Sequence, residues 1–308
     1  MKLIEQINWS TIQGLPATEC QRLYHGRGFH FPESSHINID WLSPVILIIL
    51  YKEKEQEENS AWLAELTESL LAKMAEIGFV VKSVQVQYRC RDFAPTELLW
   101  GEEVTDFVSQ ESGLNYKINL GKNQNYGIFL DMKNGRSWLR ENSLGKSVLN
   151  LFSYTCAFST VAIEGGAVSV VNLDMSKAAL AVGRDNHRLN GHDLSKVKYL
   201  GHDLFKSWGK VKRLGKYDIV IADPPSLQKG SVNIKRDYPK IIRRLPELLN
   251  NGGIALLCLN SPDLDFAFLE AIIKTECPSA TILQKIEPEN HFINIEPDRG
   301  LKCLLVKL

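Results

Sequence analysis

The chain carries its chemistry-bearing side chains at the tips of short apolar runs. Tyr217 to Ala222 stops at Asp223-Pro224-Pro225-Ser226. Two successive prolines fix φ and remove two donors, so the loop is rigid and its carbonyl oxygens face outward unpaired by any ladder. An acid on such a tip can hold a planar amine or ring in line with a group donor, and positioning of that kind supplies much of a rate. The plainer alternative is a tight turn with a capping acid. Upstream, Val148 to Leu151 runs into Phe152, Ser153, Tyr154 and Thr155, and Val168 to Leu173 ends on Asp174. Asp174 lies 24 residues after Asn150, the place from which an acid accepts both hydroxyls of a ribose. The alternative is a cap for a helix starting near Ser176, a role that can coexist with ribose binding. Asp203 follows a third run and either accepts from the exocyclic amine of adenine or caps its own helix.

The turn after Asn150 has no glycine, only small Ser153, Thr155, Cys156 and Ala157. That is a poor cradle for a pyrophosphate, which needs close backbone approach. It suits a nucleoside cofactor that presents an ammonium and a carboxylate. The order of the three tips therefore points to S-adenosylmethionine rather than to a dinucleotide or a nucleoside triphosphate. A simple strand-to-helix turn capped by Ser or Thr is the alternative.

These tips need strands to carry them. From about Gly145 the pattern alternates, with strands expected at 147–152, 168–173, 197–200, 217–222 and 253–259. Helices are expected at about 157–165, 176–190, 203–213, 236–250 and 263–275, and two closing strands near Ala280 to Ile286 and Gly300 to Lys307. Such alternation predicts an α/β fold with a mainly parallel sheet and right-handed crossovers. Residues 1–120 read as a smaller α+β domain and 121–308 as the cofactor domain. In the first, Val45 to Tyr51 is a core strand. A helix runs from about Ser60 to Ile77 with Gly78 at its C′ position. The second half of Phe79 to Tyr88 alternates as a half-buried strand. Leu114 to Leu120 turns through Gly121 to Asn125 toward Tyr126 to Leu130 as a hairpin.

Composition narrows the setting. With 44% hydrophobic and 23% charged residues the 308-residue chain reads as an ordinary soluble protein of two domains. Lys plus Arg and Asp plus Glu each number 36, so net charge argues for no particular partner. Six scattered cysteines, with no CxxC pair and no histidine at ligand spacing, predict free thiols in a reducing cytoplasm and no metal site. Met1 to Asn8 lacks a secretory signal, and no apolar run is long enough to span a bilayer.

Phe129 to Arg136, Asn150 to Thr155, Asp174 to Ser176, Asn186 to Asn190 and Asp223 to Pro225 together resemble the class I methyltransferases that modify bacterial large-subunit ribosomal RNA. The cytosine-C5 and guanine-N7 enzymes of that group are the most similar. The resemblance runs from about Glu97 to the C-terminus. It implies a Rossmann-like, seven-stranded sheet with its last two strands antiparallel, S-adenosylmethionine as cofactor, ribosomal RNA as partner, and a monomer or homodimer. Phe152, Ser153, Tyr154 and Thr155 would line the methionine portion, and Asn150 would join them in binding the cofactor. Asp174 would hold the ribose, Met175 would pack on adenine, and Asp203 would meet its amine. Ser176, Asn186, Leu204 and Pro224 would complete the cofactor set. Phe129, Asp131 and Arg136 would form a lid. Asp223 and Asn260 would be the catalytic pair, and Pro225, Ser226, Lys229 and Arg236 would face the substrate. Arg22 to Gly28 resembles a shorter branch that lacks the RNA-binding PUA module.

Two departures bear on mechanism. Cys156 and Ala157 replace the family's usual glycines. Cytosine-C5 transfer needs a thiolate to add to the ring, yet Asn260 stands at or beside the expected position. Cys258, two residues earlier, reads as a buried small hydrophobe. C5 chemistry is therefore disfavoured. Between Lys206 and Arg244 eleven cations face three acids, a stretch that could track a phosphate backbone with Trp208 and Tyr238 as stacking faces. Solvated helix faces are the alternative. His25-Gly26-Arg27-Gly28 is either a substrate-binding loop or a glycine-rich turn. A methyltransferase for a protein or small molecule, and a cofactor-binding module without turnover, remain open.

Overall fold

A computed structural model describes residues 2–53, 56–121, 123–225 and 232–308. The chain divides into two compact units: Met1–Leu130 with Asn290–Ile295, and Asp131–Glu289 with Glu296–Leu308.

The first unit contains β1 (Gln21–His25), β2 (Ile37–Leu42), β3 (Val45–Leu50), β4 (Ser83–Tyr88), β5 (Thr96–Gly101), β6 (Asp106–Glu111) and β7 (Leu114–Asn119). Its helices are α1 (Lys2–Glu5), α2 (Trp9–Gln13) and α3 (Gln56–Glu76). β1 to β5 form one sheet in chain order, antiparallel throughout except for the parallel pair β3 and β4, which α3 connects. Leu63, Leu66, Leu70 and Met74 of α3 pack on Ile46, Ile48, Val84 and Val86. Gly78 has φ +80, the left-handed residue expected after the helix.

Two local expectations are corrected here. β4 is buried on both faces, so Ser83, Gln85 and Gln87 alternate as polar residues without reaching water. Gln85 Nε2 instead donates to Ser83 Oγ (3.1 Å) and to the Val104 carbonyl (2.7 Å). The hairpin that includes β7 is made with the preceding β6 through Ser112 and Gly113, both at positive φ. Residues 126–130 form no strand.

The second unit contains α4 (Lys133–Asn142), β8 (Ser147–Leu151), α5 (Ala157–Glu164), β9 (Ser169–Asp174), α6 (Lys177–Leu189), β10 (Val197–Gly201), α7 (Trp208–Arg213) and β11 (Tyr217–Ala222). It continues with α8 (Ile234–Ile242), α9 (Leu245–Leu248), β12 (Leu249–Leu259), α10 (Phe266–Glu276), β13 (Thr281–Lys285) and β14 (Lys302–Lys307). The strand order is β10-β9-β8-β11-β12-β14-β13. β8 to β12 pair in parallel, and β14 runs antiparallel to both β12 and β13. This is the seven-stranded Rossmann-like sheet expected. The helix expected at 236–250 is broken between Ile242 and Leu245, and β12 has begun by Leu249. Pro246 lacks the N–H that a continuous helix would use, which suits it to the first turn of α9.

Candidate functional site

The strand order of the second unit reverses between β8 and β11, and a crevice opens at the carboxyl ends of strands at such a point. Leu151 pairs with Ala222, so the Phe152 turn and Asp223 leave the sheet as neighbours.

The turn adopts a glycine-like path without glycine. Phe152, Tyr154 and Cys156 have φ of 56, 47 and 63°, each at a cost of about 1–3 kcal/mol. Surrounding bonds hold them there. The Ser153 amide donates to the Leu173 carbonyl (3.0 Å), the Tyr154 amide to Asp174 Oδ2 (2.8 Å), and the Cys156 amide to the Ser153 carbonyl (2.7 Å). Asn186, fully buried on α6, donates from Nδ2 to the Thr155 carbonyl (2.9 Å). Gly183, one turn earlier on α6, makes room for the Cys156 side chain: a Cβ there would stand 2.3 Å from Sγ. Cys156 in the turn is thus matched by a glycine across the packing.

Beneath the turn runs a buried polar chain. Asn150 Nδ2 donates to Asn172 Oδ1 (3.0 Å), Asn172 Nδ2 to Ser159 Oγ (3.0 Å), and Ser159 Oγ meets His187 Nε2 at 2.8 Å. Burial, then the neighbouring His192, pushes His187 down to about 3, so its ring is neutral. Asn150 is accordingly committed beneath the turn rather than displayed on it.

Asp174 accepts from Tyr154 and, through Oδ1, from the Ser176 amide (2.8 Å). The cap of α6 is Ser176, whose Oγ accepts from the Ala179 amide (3.1 Å). Met175 between them is 69% exposed. Asp203 Oδ1 accepts from the Phe205 amide (2.9 Å) and caps the short turn Leu204–Lys206, whose Leu204 is buried.

At the tip of β11, burial first and the Asp131 carboxyl second push Asp223 up to about 7, against the opposing pull of the Arg136 guanidinium. Asp131 precedes α4, and Arg136 on α4 is buried. Asn260, following β12, places Nδ2 3.4 Å from Asp131 Oδ2. Asp223, Asp131, Arg136 and Asn260 therefore gather at one end of the sheet. Pro224 is buried and Pro225 is half-buried. Phe129 belongs to the first unit and is exposed. Ser226 and Lys229 lie outside the described residues.

Two further residues organise this end, and the sequence reading missed the role of both. Tyr238 is fully buried on α8, so it offers no stacking face. Its hydroxyl lies 3.1 Å from the Ala222 carbonyl and 2.8 Å from that of Cys258, spanning the tips of β11 and β12. Lys302, also fully buried, donates to the carbonyls of Ser261 (2.8 Å), Asp298 (2.6 Å) and Gly300 (2.7 Å). Three acceptors match the three donors of an ammonium. Burial nevertheless pushes it down to about 8, opposed by Asp298 and Asp265. The signals were a tyrosine in register with Ile234, Ile241 and Ile242, and one lysine beside an apolar run. Cys258 is buried and pairs with Cys303 across the strands, the sulfurs 3.6 Å apart. Burial and then that neighbour hold its thiol well above the usual range.

Among the described residues, six cations of the basic stretch are paired with acids, four of them with acids outside it. Lys212 and Arg244 reach Glu247, and Arg243 reaches Glu276. Lys206 faces Asp203, while Arg236 and Lys240 share Asp237. Trp208 is half-buried and lies under Arg244. Among the described residues no helix is long and apolar enough to cross a membrane, and no group of three or more His, Cys, Asp or Glu could hold a metal.

Comparison with known proteins agrees with this geometry. A family model for S-adenosylmethionine-dependent methyltransferases matches residues 21–307. Ribosomal RNA large subunit methyltransferase K of Neisseria meningitidis is 34% identical over 208 residues, 64% of this chain and 57% of that protein. Ribosomal RNA large subunit methyltransferase I of Aeromonas salmonicida is 34% identical over 166 residues, 52% of this chain and 42% of that one. The chain thus spans about half the length of these relatives. SMU.776, crystallised with SAH, superposes with a TM-score of 0.84 at 25% identity, over all of this chain and 81% of that one. A family model that covers both the sheet and the strand-end cluster leaves one assignment: the chain belongs to the S-adenosylmethionine-dependent methyltransferases.

Proposed function

We propose that this chain transfers a methyl group to a base of large-subunit ribosomal RNA, without a covalent cysteine intermediate. The observation that carries the chemistry is Asp223, pushed up to about 7 at the tip of β11 beside Asp131 and Asn260. The RNA acceptor is taken from the printed names of the relatives.

The turn fits the cofactor. Ser153 Oγ is buried without a hydrogen-bond partner, a costly state for a hydroxyl that a ligand's polar group would relieve. Phe152 to Thr155 would hold the methionine portion, Asp174 the ribose, Met175 and Asp203 the adenine. When bound, S-adenosylmethionine supplies the electrophilic methyl. Asp223 as carboxylate accepts a hydrogen bond from a target N–H and can take its proton as the nitrogen is alkylated, a role that a group near pH 7 serves well. Asn260 offers a donor and an acceptor that orient the base edge. Arg136 limits the repulsion between Asp131 and Asp223. Cys258, buried with its proton held, is unsuited to add to a ring. Its setting favours a nitrogen acceptor over cytosine C5.

A second reading, transfer to a protein or small molecule, draws support from the pairing of the Lys206 to Arg244 cations with acids. Labelled methyl supplied to separated total RNA and total protein from cells lacking this gene distinguishes the two. Label in RNA supports the proposal, and label confined to protein overturns its substrate.

A further inference from the structure

We propose that the edge of the first unit formed by Arg27, Phe29, Tyr51, Arg89 and Phe93 binds unpaired RNA, with Phe93 as the stacking face and the guanidinium groups held over Tyr51 as the phosphate contacts. This deepens, and rests on, the reading of an RNA substrate.

The edge is set by topology. β1, β3 and β4 point the same way, since β2 is antiparallel to both β1 and β3, and β3 is parallel to β4. Their carboxyl ends therefore share one edge of the sheet. Gly26–Gly28 follows β1, Tyr51 follows β3 and Arg89 follows β4. Side chains confirm the convergence. The Arg27 guanidinium lies 4.9 Å from the Tyr51 ring centroid and 5.3 Å from that of Phe29, and Arg89 lies 5.8 Å from Tyr51.

Each part of the Gly26 to Gly28 turn now has a use. A Cβ on Gly26 would meet the Ser34 and Ile37 carbonyl oxygens at 2.1 and 2.3 Å, and one on Gly28 the Ile293 oxygen at 2.9 Å. The glycines permit close packing, and Arg27 is left exposed at the tip. Arg89 is pre-oriented, with Nε on Gln87 Oε1 and Nη2 on the Gln124 carbonyl, both at 3.0 Å.

Phe93 is the most telling residue. It is 99% exposed at φ 63°, followed by Ala94 at φ 48°. A bulky residue in the left-handed region is rare, and such strain gathers at binding sites. The loop is tied down beside Tyr51: Arg91 donates to Glu53 and Glu97, and its guanidinium lies 3.7 Å from the Tyr88 ring centroid. Arg91 is thereby occupied, and its two acids are neutralised. Neighbouring Asp92 repels phosphate, so Phe93 is suited to the uncharged face of a base. Planar guanidinium groups and an open aromatic ring together are the means by which proteins hold single-stranded, unstacked nucleotides. A duplex keeps its bases stacked and would leave the Phe93 ring unused.

The test uses the full chain and a fluorescent single-stranded RNA of about 12 nucleotides, alone or annealed to its complement. Phe93→Ser weakens single-strand binding about 5- to 100-fold, and Phe93→Trp keeps it. Arg27→Gln with Arg89→Gln also weakens it and lowers the slope of log affinity against log salt by about 1.4. S-adenosylmethionine affinity, measured on each variant, stays at the wild-type value and reports intact folding. Variants that bind single strands as wild type does, or that lose duplex equally, overturn the surface while leaving an RNA substrate standing. A wild-type chain that binds neither RNA overturns both.

Discussion

The Tyr154 amide donates to Asp174 Oδ2 at 2.8 Å, joining the turn after β8 to the tip of β9 across 20 residues. One carboxylate thus fixes a turn whose own residues resist the required backbone. Asp174→Ala removes a charged acceptor worth about 1.5–3 kcal/mol. S-adenosylmethionine affinity should fall about 10- to 100-fold by calorimetric titration, with Asp174→Asn losing less.

Gly183 and Cys156 should behave as a coupled pair. Gly183→Ala drives a methyl into Cys156 Sγ, and overpacking of this kind costs about 1–3 kcal/mol. Cys156→Gly removes the obstruction and suits φ 63°. Denaturant unfolding of both single variants and the double should therefore give a non-additive cycle, with the double variant more stable than Gly183→Ala alone.

Asp223 predicts two pH effects. As the proton acceptor it must be ionised, so kcat should rise through a pH of about 7, and Asp223→Asn should abolish that limb. Its raised value also means that the folded state binds this proton more tightly than the unfolded state does. Its contribution to stability is therefore lost as pH climbs from the ordinary carboxylate range toward 7. Asp223→Asn should accordingly raise Tm relative to wild type more at pH 8 than at pH 4. An equal change at both would contradict the assignment.

Cys258→Ala should retain methyl transfer within about threefold, because a buried protonated thiol takes no part. Tyr238→Phe should act differently. It leaves a carbonyl at Ala222 or Cys258 short of a donor, destabilising by about 1–3 kcal/mol. Loss of transfer on Cys258→Ala, with cofactor affinity unchanged, would restore a covalent route.

Much of the second unit was legible because the buried parallel strands β8, β9 and β11 are mostly apolar runs, and Asp174 and Asp223 stand at the ends of β9 and β11. What stayed hidden was conformation without a residue signature. Nothing in Phe152, Tyr154 or Cys156 announces positive φ, since the compensating glycine sits on α6. The break before α9 was masked because Ile241, Ile242, Leu245 and Leu248 keep a helical rhythm across it. In the first unit, alternation in β4 implied a wet face, yet Ser83, Gln85 and Gln87 are covered. β6 carries only Phe107 and Val108 as apolar residues, too few to read as the partner of β7. The cation count from Lys206 to Arg244 could not show which of these side chains are paired, because Glu247 and Glu276, which meet Lys212, Arg243 and Arg244, lie outside the window.

The central claim is methyl transfer to a ribosomal RNA base at the Asp223 tip. Its most direct test is transfer of labelled methyl from S-adenosylmethionine to protein-free ribosomal RNA from cells lacking this gene. RNA from normal cells and the Asp223→Ala variant serve as comparisons. Label should enter the unmodified RNA alone, appear in one methylated nucleoside after digestion, and vanish with the variant. Cofactor binding with no label in that RNA, or equal label with Asp223→Ala, would contradict it.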